Sequence, residues 1–572
     1  MVVKKKRYLT IVLVLLSIII VLVALFFTRI NTMLERFTRA KLSSLIENDP
    51  NSIYDIKYDS LIIDIYSGNV EVLNFSITPR EKVIDSMRRH QIPRKFVIDF
   101  KMGDFKLQDL EIIDFLVTGG IELEGLLFKD VDGKVYVNDT LDVHNSTTVS
   151  DDILSNSFIS ASLHKVEMKN GSFTWFKTEE DTVTALSLEN FYLGIEELYS
   201  DSSMIKKARG VQLEDLHFSF ENFENRMVRN YFLSSEKVSF NSEENRYTII
   251  NPEMQPSEEK ISSQNYLKLH VDQIDLIGFN YDSLILKDHI MLEKVYIKNP
   301  NFTYIRPPQK LQKDTVRELP ATTFKKIPIP LFIDTLQIEN GFFDYLKHGY
   351  GEPLVKFDMH RINIQGFDFA TDPELMGESQ TFTVGGSLLF FNTTPVRMNF
   401  TFPITDPLNS YSINGQIDTL KAEDLNPIIK NSFKIRAQSG TFYKMLFNIH
   451  GNDTVARGDF EVDYADLKLE ALEINEKDFT DTKRKGFNTF LVNTLAKKKN
   501  DPSKSSFTNG IIYLDRDDHL TFLDLNLNAL LSGLVTSVIP EAKGFIVPKE
   551  ERQAIKQEQR EQKKEQRAEQ KE

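Results

Sequence analysis

The densest group of metal-ligating side chains in the sequence is DRDDH, residues 515–519. Carboxylate and imidazole groups at this spacing suit a divalent cation, but Ca²⁺ takes roughly six to eight ligands, so others would have to come from elsewhere in the chain. Aspartate is also frequent in turns, where its side chain bonds to nearby backbone groups. The simpler prediction is a hydrated turn between two strands over residues 510–527, with no metal bound.

Motifs for enzyme chemistry are missing from the rest of the chain. The sequence contains no G-x-G-x-x-G, no phosphate-binding loop, no G-x-S-x-G and no H-E-x-x-H. The ten histidines are scattered singly, and the absence of cysteine excludes disulfides, thiol nucleophiles and cysteine zinc sites. A net charge of -14 argues against binding to nucleic acid. We therefore expect neither an enzyme nor a cofactor.

A segment of eleven residues recurs three times, as VEMKNGSFTWF at 166–176, VYIKNPNFTYI at 295–305 and LQIENGFFDYL at 336–346. The spacings are close to multiples of roughly 40 residues, which is typical of solenoid-like repeats. Each copy ends in two aromatics that are two residues apart and therefore share one face of a strand. Their simplest role is packing between neighbouring repeats, and these pairs are Phe173/Trp175, Phe302/Tyr304 and Phe343/Tyr345.

The centre of each copy predicts a corner in a strand. Asn170-Gly171 and Asn340-Gly341 would by themselves suggest a tight hairpin, in which both residues take positive φ. The middle copy has Asn299-Pro300, and proline is fixed near φ of about −65°. Three equivalent copies therefore favour a corner or bulge that leaves the flanking strands in one sheet.

Strand-like alternation dominates from residue 51 to about residue 420. In VRMNFTF, for example, Val396, Met398, Phe400 and Phe402 alternate with polar residues. Because few helices separate the strands, a parallel sheet built from βαβ units is not expected. The sequence predicts a mainly β protein in which residues 51–420 form an elongated, strongly curved antiparallel sheet with a groove.

The amino terminus predicts a membrane anchor. Basic residues 4–7 precede an uncharged apolar stretch from Leu9 to Phe27, which as a helix matches the thickness of a bilayer. A cleaved signal peptide would have a shorter apolar region and a small-residue cleavage site. The positive-inside rule places residues 1–8 in the cytoplasm, and residues 28–50 are predicted to form a membrane-proximal helix on the other side.

The pattern changes after residue 420. Short helices are predicted at 424–433 and 486–500, and a helical stripe comprises Leu530, Leu531, Leu534, Val535 and Val538. We expect this last helix to cap the open end of the sheet, since terminal repeats must close an exposed edge. Residues 549–572 are charged and almost without apolar side chains, which predicts a helical or disordered tail.

The anchor, the repeats and the run from 439 to 472 together resemble the AsmA-like family, the AsmA/TamB-type envelope proteins and repeating β-groove bridge-like lipid-transfer proteins. After that run, FLVNTLAKKKNDPSK, GIIYLDRD and the final apolar helix continue the likeness over a carboxy-terminal region of residues 421–548. The positions that resemble the family's pattern are Gly440, Gly451, Gly458, Tyr464, Leu467, Asn493, Arg516 and Asp517.

The resemblance implies a bacterial protein anchored in the inner membrane by a single pass, with most of the chain in the periplasm. It implies a β-groove that carries phospholipid acyl chains between the membranes and supports the outer membrane, with an envelope or outer-membrane protein as a further partner at the carboxy-terminal end. The aromatic pairs of the three repeats then become candidates for lining this groove, together with Phe400 and Phe402. A scaffold for outer-membrane protein assembly, acting through a sheet edge, is the alternative; a surface adhesin comes next, and a hydrolase last.

Overall fold

A computed structural model describes residues 53–64, 67–89, 96–111, 120–138, 160–178, 182–201, 214–226, 230–258, 261, 265–306, 316–348, 353–376, 380–433, 435–475, 478–484 and 496–553. The predicted anchor from Leu9 to Phe27, the helix at 28–50, Asn493 and most of the charged tail lie outside these residues. Among the described residues, no helix combines the length and apolar character needed to cross a membrane.

The protein is mainly β and divides into two compact units at Met254/Gln255. The strands of the first unit are β1 (Tyr54–Lys57), β2 (Ser60–Asp64), β3 (Asn69–Pro79), β4 (Phe96–Gln108), β5 (Gly120–Val137), β6 (Ser160–Thr178), β7 (Thr182–Asp201), β8 (Asp215–Asn225), β9 (Tyr231–Asn241) and β10 (Arg246–Ile250). Strand β11 (Glu253–Pro256) lies at the boundary.

The strands of the second unit are β12 (Tyr266–His270), β13 (Gln273–Ile277), β14 (Ile290–Lys298), β15 (Asn301–Arg306), β16 (Leu331–His348), β17 (Pro353–Ala370), β18 (Thr381–Phe390), β19 (Thr394–Pro403), β20 (Tyr411–Ile417), β21 (Leu420–Lys421), β22 (Ile435–Gly451), β23 (Val455–Asn475), β24 (Asp478–Arg484) and β25 (Gly510–Asp515). The described α-helices of the two units are α1 (Val83–Arg88), α2 (Tyr281–Lys287), α3 (Pro320–Lys325), α4 (Asn426–Phe433), α5 (Phe522–Val538) and α6 (Lys543–Ile546).

In the first unit, strands that follow one another in sequence lie side by side. Both β1 and β2 pair with β3, and the order then runs β3 to β10 without a crossover. Strands β5 and β6 are parallel, whereas the other pairs are antiparallel. The expectation of a purely antiparallel sheet is therefore wrong.

The second unit places two copies of the repeat side by side. Strands β14 and β15 both pair with β16 in parallel, so that Val295 lies opposite Leu336 and Tyr304 lies opposite Tyr345. From β16 the sheet continues through β17, β18, β19, β20, β22 and β23 to β25, with antiparallel pairs throughout. Equal positions of the repeat thus stack on one another, which explains why the sequence keeps them alike.

The centre of the first and third repeats is a bulge, and the middle copy is interrupted at Asn299-Pro300 between β14 and β15; the predicted corner or bulge is confirmed and the hairpin alternative is excluded. Strands β6 and β16 continue through Asn170-Gly171 and Asn340-Gly341, and their register shifts there. The asparagine takes the left-handed conformation in every copy, with φ of 55° at Asn170, 49° at Asn299 and 52° at Asn340. Asparagine tolerates this region better than most residues.

Other strands of the first unit have a left-handed residue at the same level, and these residues form a seam across that unit. In the first unit its left-handed residues are Asn74, Asp130, Asn170, Asn190 and Asn222. Their amides reach neighbouring strands: the Asn170 side chain donates to Asp130 Oδ1 at 3.0 Å, and the Asn190 side chain donates to Glu221 Oε2 at 2.7 Å. In the second unit Asn340 donates to Asn299 Oδ1 at 2.9 Å.

The helices fit the sequence prediction in one place and correct it in another. Helix α4 forms within the predicted range 424–433. The second strand predicted within 510–527 is wrong, because α5 already begins at Phe522. Thr521 caps that helix by accepting the backbone N–H of Asp524 at 3.2 Å, and the apolar alternation after it is used for helix packing.

Because Asn170 has a left-handed backbone, we expect its substitution by different residues to change stability by different amounts. Replacing Asn170 by Gly keeps the left-handed backbone accessible and should shift stability by only a few tenths of a kcal/mol, whereas Asn170→Val forces a β-branched residue to positive φ and should cost about 1–3 kcal/mol. Trp175, the only tryptophan, lies on the same strand, so its fluorescence during urea unfolding reports the loss.

Thr174→Val, at an ordinary extended position of β6, serves as the control. Equal loss of stability for the Val and Gly variants of Asn170 would contradict a role for the left-handed backbone.

Candidate functional site: the apolar face of the sheet

One face of the first unit carries an apolar row that crosses eight strands. Each member lies directly opposite the next on the neighbouring strand. The central row, as we call it, comprises Val72, Phe105, Phe128, Met168, Leu193, Phe218, Phe240 and Tyr247. Leu193 is fully buried, while Phe128 and Phe218 are half-buried. The row runs along the direction in which the strands stack.

A second apolar row lies beside the central row, and the opposite face is charged. The second row pairs Val70, Leu107, Leu126, Val166, Ile195 and Leu216 across six strands. On the other face, Lys106 forms an ion pair with Glu71 at 2.7 Å, and Lys169 with Glu167 at 3.0 Å. The sheet is therefore amphipathic across its whole width in this unit.

The apolar face continues beyond the seam. Trp175 and the buried Phe173 pack with Val135 and Leu186 in a second cluster, and Phe191 contacts both this cluster and the central row. Helix α1, the α-helix among the described residues of this unit, packs instead on Val97 at one end of the sheet. Within the described part of the first unit, no α-helix lies over the central row.

In the second unit the equivalent face is covered by helices. Phe402 packs against Phe522 of α5 with ring centroids 6.0 Å apart, and against Phe324 of α3 at 6.1 Å. Phe400 packs against the same core. The expected vacant groove is therefore filled in this part of the chain.

The aromatics of the second and third repeats lie under the same helices. Tyr345 is 1% exposed and stacks on Phe357 at 4.8 Å, and Tyr304 lies 5.8 Å from its ring. Phe302 lies opposite Phe343 in the parallel pair of β15 and β16. Leu531 of α5 and Ile428 of α4 belong to this cluster. These aromatics pack between repeats and against the helices that close the face.

A small apolar cavity remains beneath α5. Its volume is about 60 Å³, and it is lined by aliphatic and aromatic side chains from α4, α5, β22 and β23, among them Ile429, Phe442, Leu469 and Leu534. An engineered apolar cavity that binds benzene is about 150 Å³. The space beneath α5 is therefore too small to hold an acyl chain unless the helix moves.

A buried polar network fastens the start of α5 to the third repeat. Asp524 accepts hydrogen bonds from the Tyr345 hydroxyl at 2.9 Å and from the Thr521 hydroxyl at 2.7 Å, and its other contact is an ion pair with Arg306. Burial raises the pKa of Tyr345 well above its usual value. The carboxylate thus bonds to a side chain of each of the neighbouring strands β15 and β16.

Helix α5 also closes the edge of the sheet, the capping role predicted for it. The backbone N–H of Ile511 donates to Thr536 Oγ1 at 2.8 Å, and the Thr536 hydroxyl donates back to the Ile511 carbonyl at 2.9 Å. The N–H of Tyr513 donates to Ser532 Oγ at 3.1 Å. These groups of β25 are therefore unavailable for pairing with an added strand, and a scaffold acting by strand addition would need another edge.

The positions that resemble the AsmA-like pattern have structural roles at this end of the chain. A Cβ at Gly458 would lie 1.8 Å from the Asn448 carbonyl oxygen, and one at Gly451 would lie 2.1 Å from the Tyr411 ring. Gly440 has φ of 141° and lies against Leu467. The fully buried Tyr464 donates its hydroxyl hydrogen to the Lys497 carbonyl at 3.1 Å.

The DRDDH segment is a turn, as predicted, but it joins a strand to a helix. Arg516 donates to the backbone carbonyls of Asp517 at 2.7 Å and of Arg317, and so joins the turn to the loop before α3. Asp517 accepts the backbone N–H of His519 at 2.9 Å. Asp517, Asp518 and His519 are exposed and lie within reach of one another, which is common without any ion.

Sequence reasoning missed a fourth copy of the repeat at residues 126–136. In the parallel pair of β5 and β6, Leu126 lies opposite Val166 and Phe128 lies opposite Met168. Asp130 takes the asparagine position, with φ of 53°. Gly133 lies opposite Phe173, so the aromatic that defines the repeat is missing. The sequence did contain a signal for this copy. Asp130, an acidic residue in place of the asparagine, lies between two apolar pairs and roughly 40 residues before Asn170.

Comparisons with protein-family models and with curated proteins find no match for this chain.

If Thr536 closes the edge of β25, the substitution Thr536→Val should weaken protection of that strand's backbone amides. The Ile511 N–H would lose its acceptor, and an unmet buried donor costs about 1–3 kcal/mol. Amide hydrogen exchange in residues 510–515, measured by mass spectrometry, should rise roughly tenfold or more.

Asn528→Ala, a half-buried position of the same helix, is the control and should leave this exchange unchanged. Unaltered exchange in the Thr536 variant would show that the hydroxyl does not close the edge.

Proposed function

We propose that this protein holds phospholipid acyl chains on the apolar face of its β-sheet and belongs to the AsmA-like envelope proteins. In this proposal residues 9–27 anchor the chain in a bacterial inner membrane, and the rest lies in the periplasm. The protein passes lipid toward the outer membrane and performs no covalent chemistry. The central row of the first unit is the observation that supports this function most directly.

A lipid that leaves a membrane exposes its acyl chains to water, which costs free energy. An acyl chain regains about 0.8 kcal/mol for each CH₂ group that it buries against apolar surface. A row that crosses eight strands at about 4.8 Å each extends about 34 Å. The hydrocarbon core of a bilayer, which is two chains deep, measures about 30 Å. One face of this unit therefore has the length needed by whole acyl chains.

Uniformity along the row favours movement over fixed binding. Phe105 contacts Phe128 with ring centroids 5.1 Å apart, and Phe218 contacts Phe240 at 5.6 Å. A chain that moves from one strand to the next leaves one apolar contact and gains a similar one. Polar hydrogen bonds would instead hold a ligand at one place. The row is thus suited to carry lipid passively.

The closed face of the second unit sets a limit on the proposal. Helices α3, α4 and α5 occupy the surface that a lipid would need there, so in this state only the first unit offers the row. A scaffold for outer-membrane protein assembly remains the alternative, and the capped β25 edge removes one of the edges that it would use.

Photo-crosslinking at neighbouring positions tests the proposal. Phe218 belongs to the central row, and His217 lies beside it on the charged face, where its ring contacts the Asp215 carboxylate. A photoreactive amino acid at position 218 of the full chain, expressed in cells, should capture phospholipid that mass spectrometry identifies. The same group at position 217 should capture little or none.

Equal capture at both positions would indicate nonspecific contact with membrane. Absence of lipid at Phe128, Phe218 and Tyr247 alike would contradict the proposed function.

A further inference from the structure

A basic residue ends each of the three repeats found in the sequence. Lys177, Arg306 and Lys347 each follow the second aromatic of their copy's pair (Trp175, Tyr304 and Tyr345) by two residues. Residues two apart on a strand share a face, so the cation lies on the apolar side of the sheet, next to the aromatics. All three side chains are half-buried. Each copy therefore presents apolar, aromatic and cationic groups in that order along one face.

In the second unit this cationic position already holds an oxyanion. Arg306 and Lys347 lie opposite one another in parallel strands, and the Asp524 carboxylate forms an ion pair with Arg306. The Tyr345 hydroxyl donates to the same carboxylate at 2.9 Å. The end of the repeat thus binds an acidic oxygen while apolar residues of the same helix cover the aromatics.

Helix α5 resembles a lipid in how it occupies the face. Its Asp524 supplies the negative charge, and Leu523, Leu527 and Leu531 pack on the cluster that contains Tyr345. Burial lowers the pKa of the Lys347 ammonium, whereas the nearby Asp524 carboxylate opposes that change. The Asp524 carboxylate thus forms an ion pair with Arg306 and also lies near the Lys347 ammonium.

The first unit offers the same position without the helix. Lys177 lies opposite Val137 and Val183 on the neighbouring strands, two residues beyond Trp175. No carboxylate among the described residues forms an ion pair or hydrogen bond with Lys177. The apolar cluster of Phe173, Trp175 and Leu186 adjoins it.

We propose that Lys177 binds a phosphate oxygen of a glycerophospholipid whose acyl chains lie on the apolar face of the first unit. This inference rests on the proposed function and identifies the phosphate as the part of the lipid that the protein recognises. An ammonium group binds phosphate as a point charge through charge-assisted hydrogen bonds. Arg306 takes the equivalent place in the second repeat, so arginine should also serve at position 177.

Binding of short-chain lipids to the full chain tests this inference, with Trp175 fluorescence as the signal. Dihexanoylphosphatidylglycerol carries the phosphate, and dihexanoylglycerol has the same chains without it. Lys177→Gln should weaken binding of the first about tenfold and leave the second unchanged. Lys177→Arg should restore the affinity. Lys169→Gln, on the charged face of the same strand, should alter neither.

The outcomes separate the two proposals. Equal weakening of both lipids in Lys177→Gln would mean that the lysine supports packing, and would overturn the phosphate site. Competition by inorganic phosphate at the same affinity as the phospholipid would assign the site to a free anion and would also overturn it. Lysine-dependent binding of phosphatidylglycerol with no binding of dihexanoylglycerol would support the phosphate site and contradict the acyl-binding face.

Discussion

The architecture of the first unit depends on one constraint, that its long neighbouring strands must change face at the same level. A bulge inserts one residue and so reverses which side chains point to each face beyond it. In β6 the apolar positions are Val166 and Met168 before Asn170, but Phe173 and Trp175 after it. If only one strand bulged, its apolar residues beyond the seam would project into water. The left-handed residues of neighbouring strands, whose side-chain amides bond across the strands, prevent this.

The seam explains why the repeats were visible in the sequence and why the pairing was not. A left-handed corner needs asparagine or a similar residue, and the flanking apolar pairs must keep their spacing, so these features recur. The direction of a neighbouring strand produces no comparable pattern in the sequence. Val295 opposite Leu336 gives the same alternation whether the strands are parallel or antiparallel, so the parallel pairs could not be predicted.

Helix α5 shows a second limit of sequence reasoning. Alternating apolar residues near Phe522 suit a strand, and the competing signal was the cap at Thr521 with Asp524 after it. The helix buries Ser532, Thr536 and Ser537 as well as leucines, because its hydroxyls satisfy the edge of β25 and the helix backbone. Its apolar stripe predicted a helix that caps the sheet, but not the polar face that does the capping.

The two units treat the same kind of surface differently. In the second, α3, α4 and α5 cover the apolar face and Asp524 neutralises the cation at the end of a repeat. In the first unit, no α-helix among the described residues lies over the central row, which packs with other side chains of the sheet. A lipid at Lys177 would take the place that α5 takes in the second unit, with its chains on Phe173 and Trp175 and its phosphate on the lysine.

The central claim is that acyl chains lie against the apolar face, and Trp175 is the natural probe because it is the only tryptophan and lies on that face. Phospholipid with brominated acyl chains quenches tryptophan on close contact. The account predicts that binding of this lipid to the full-length protein quenches Trp175 emission, while the unbrominated lipid does not. Bound brominated lipid that leaves the emission unchanged would place the chains elsewhere and contradict the account.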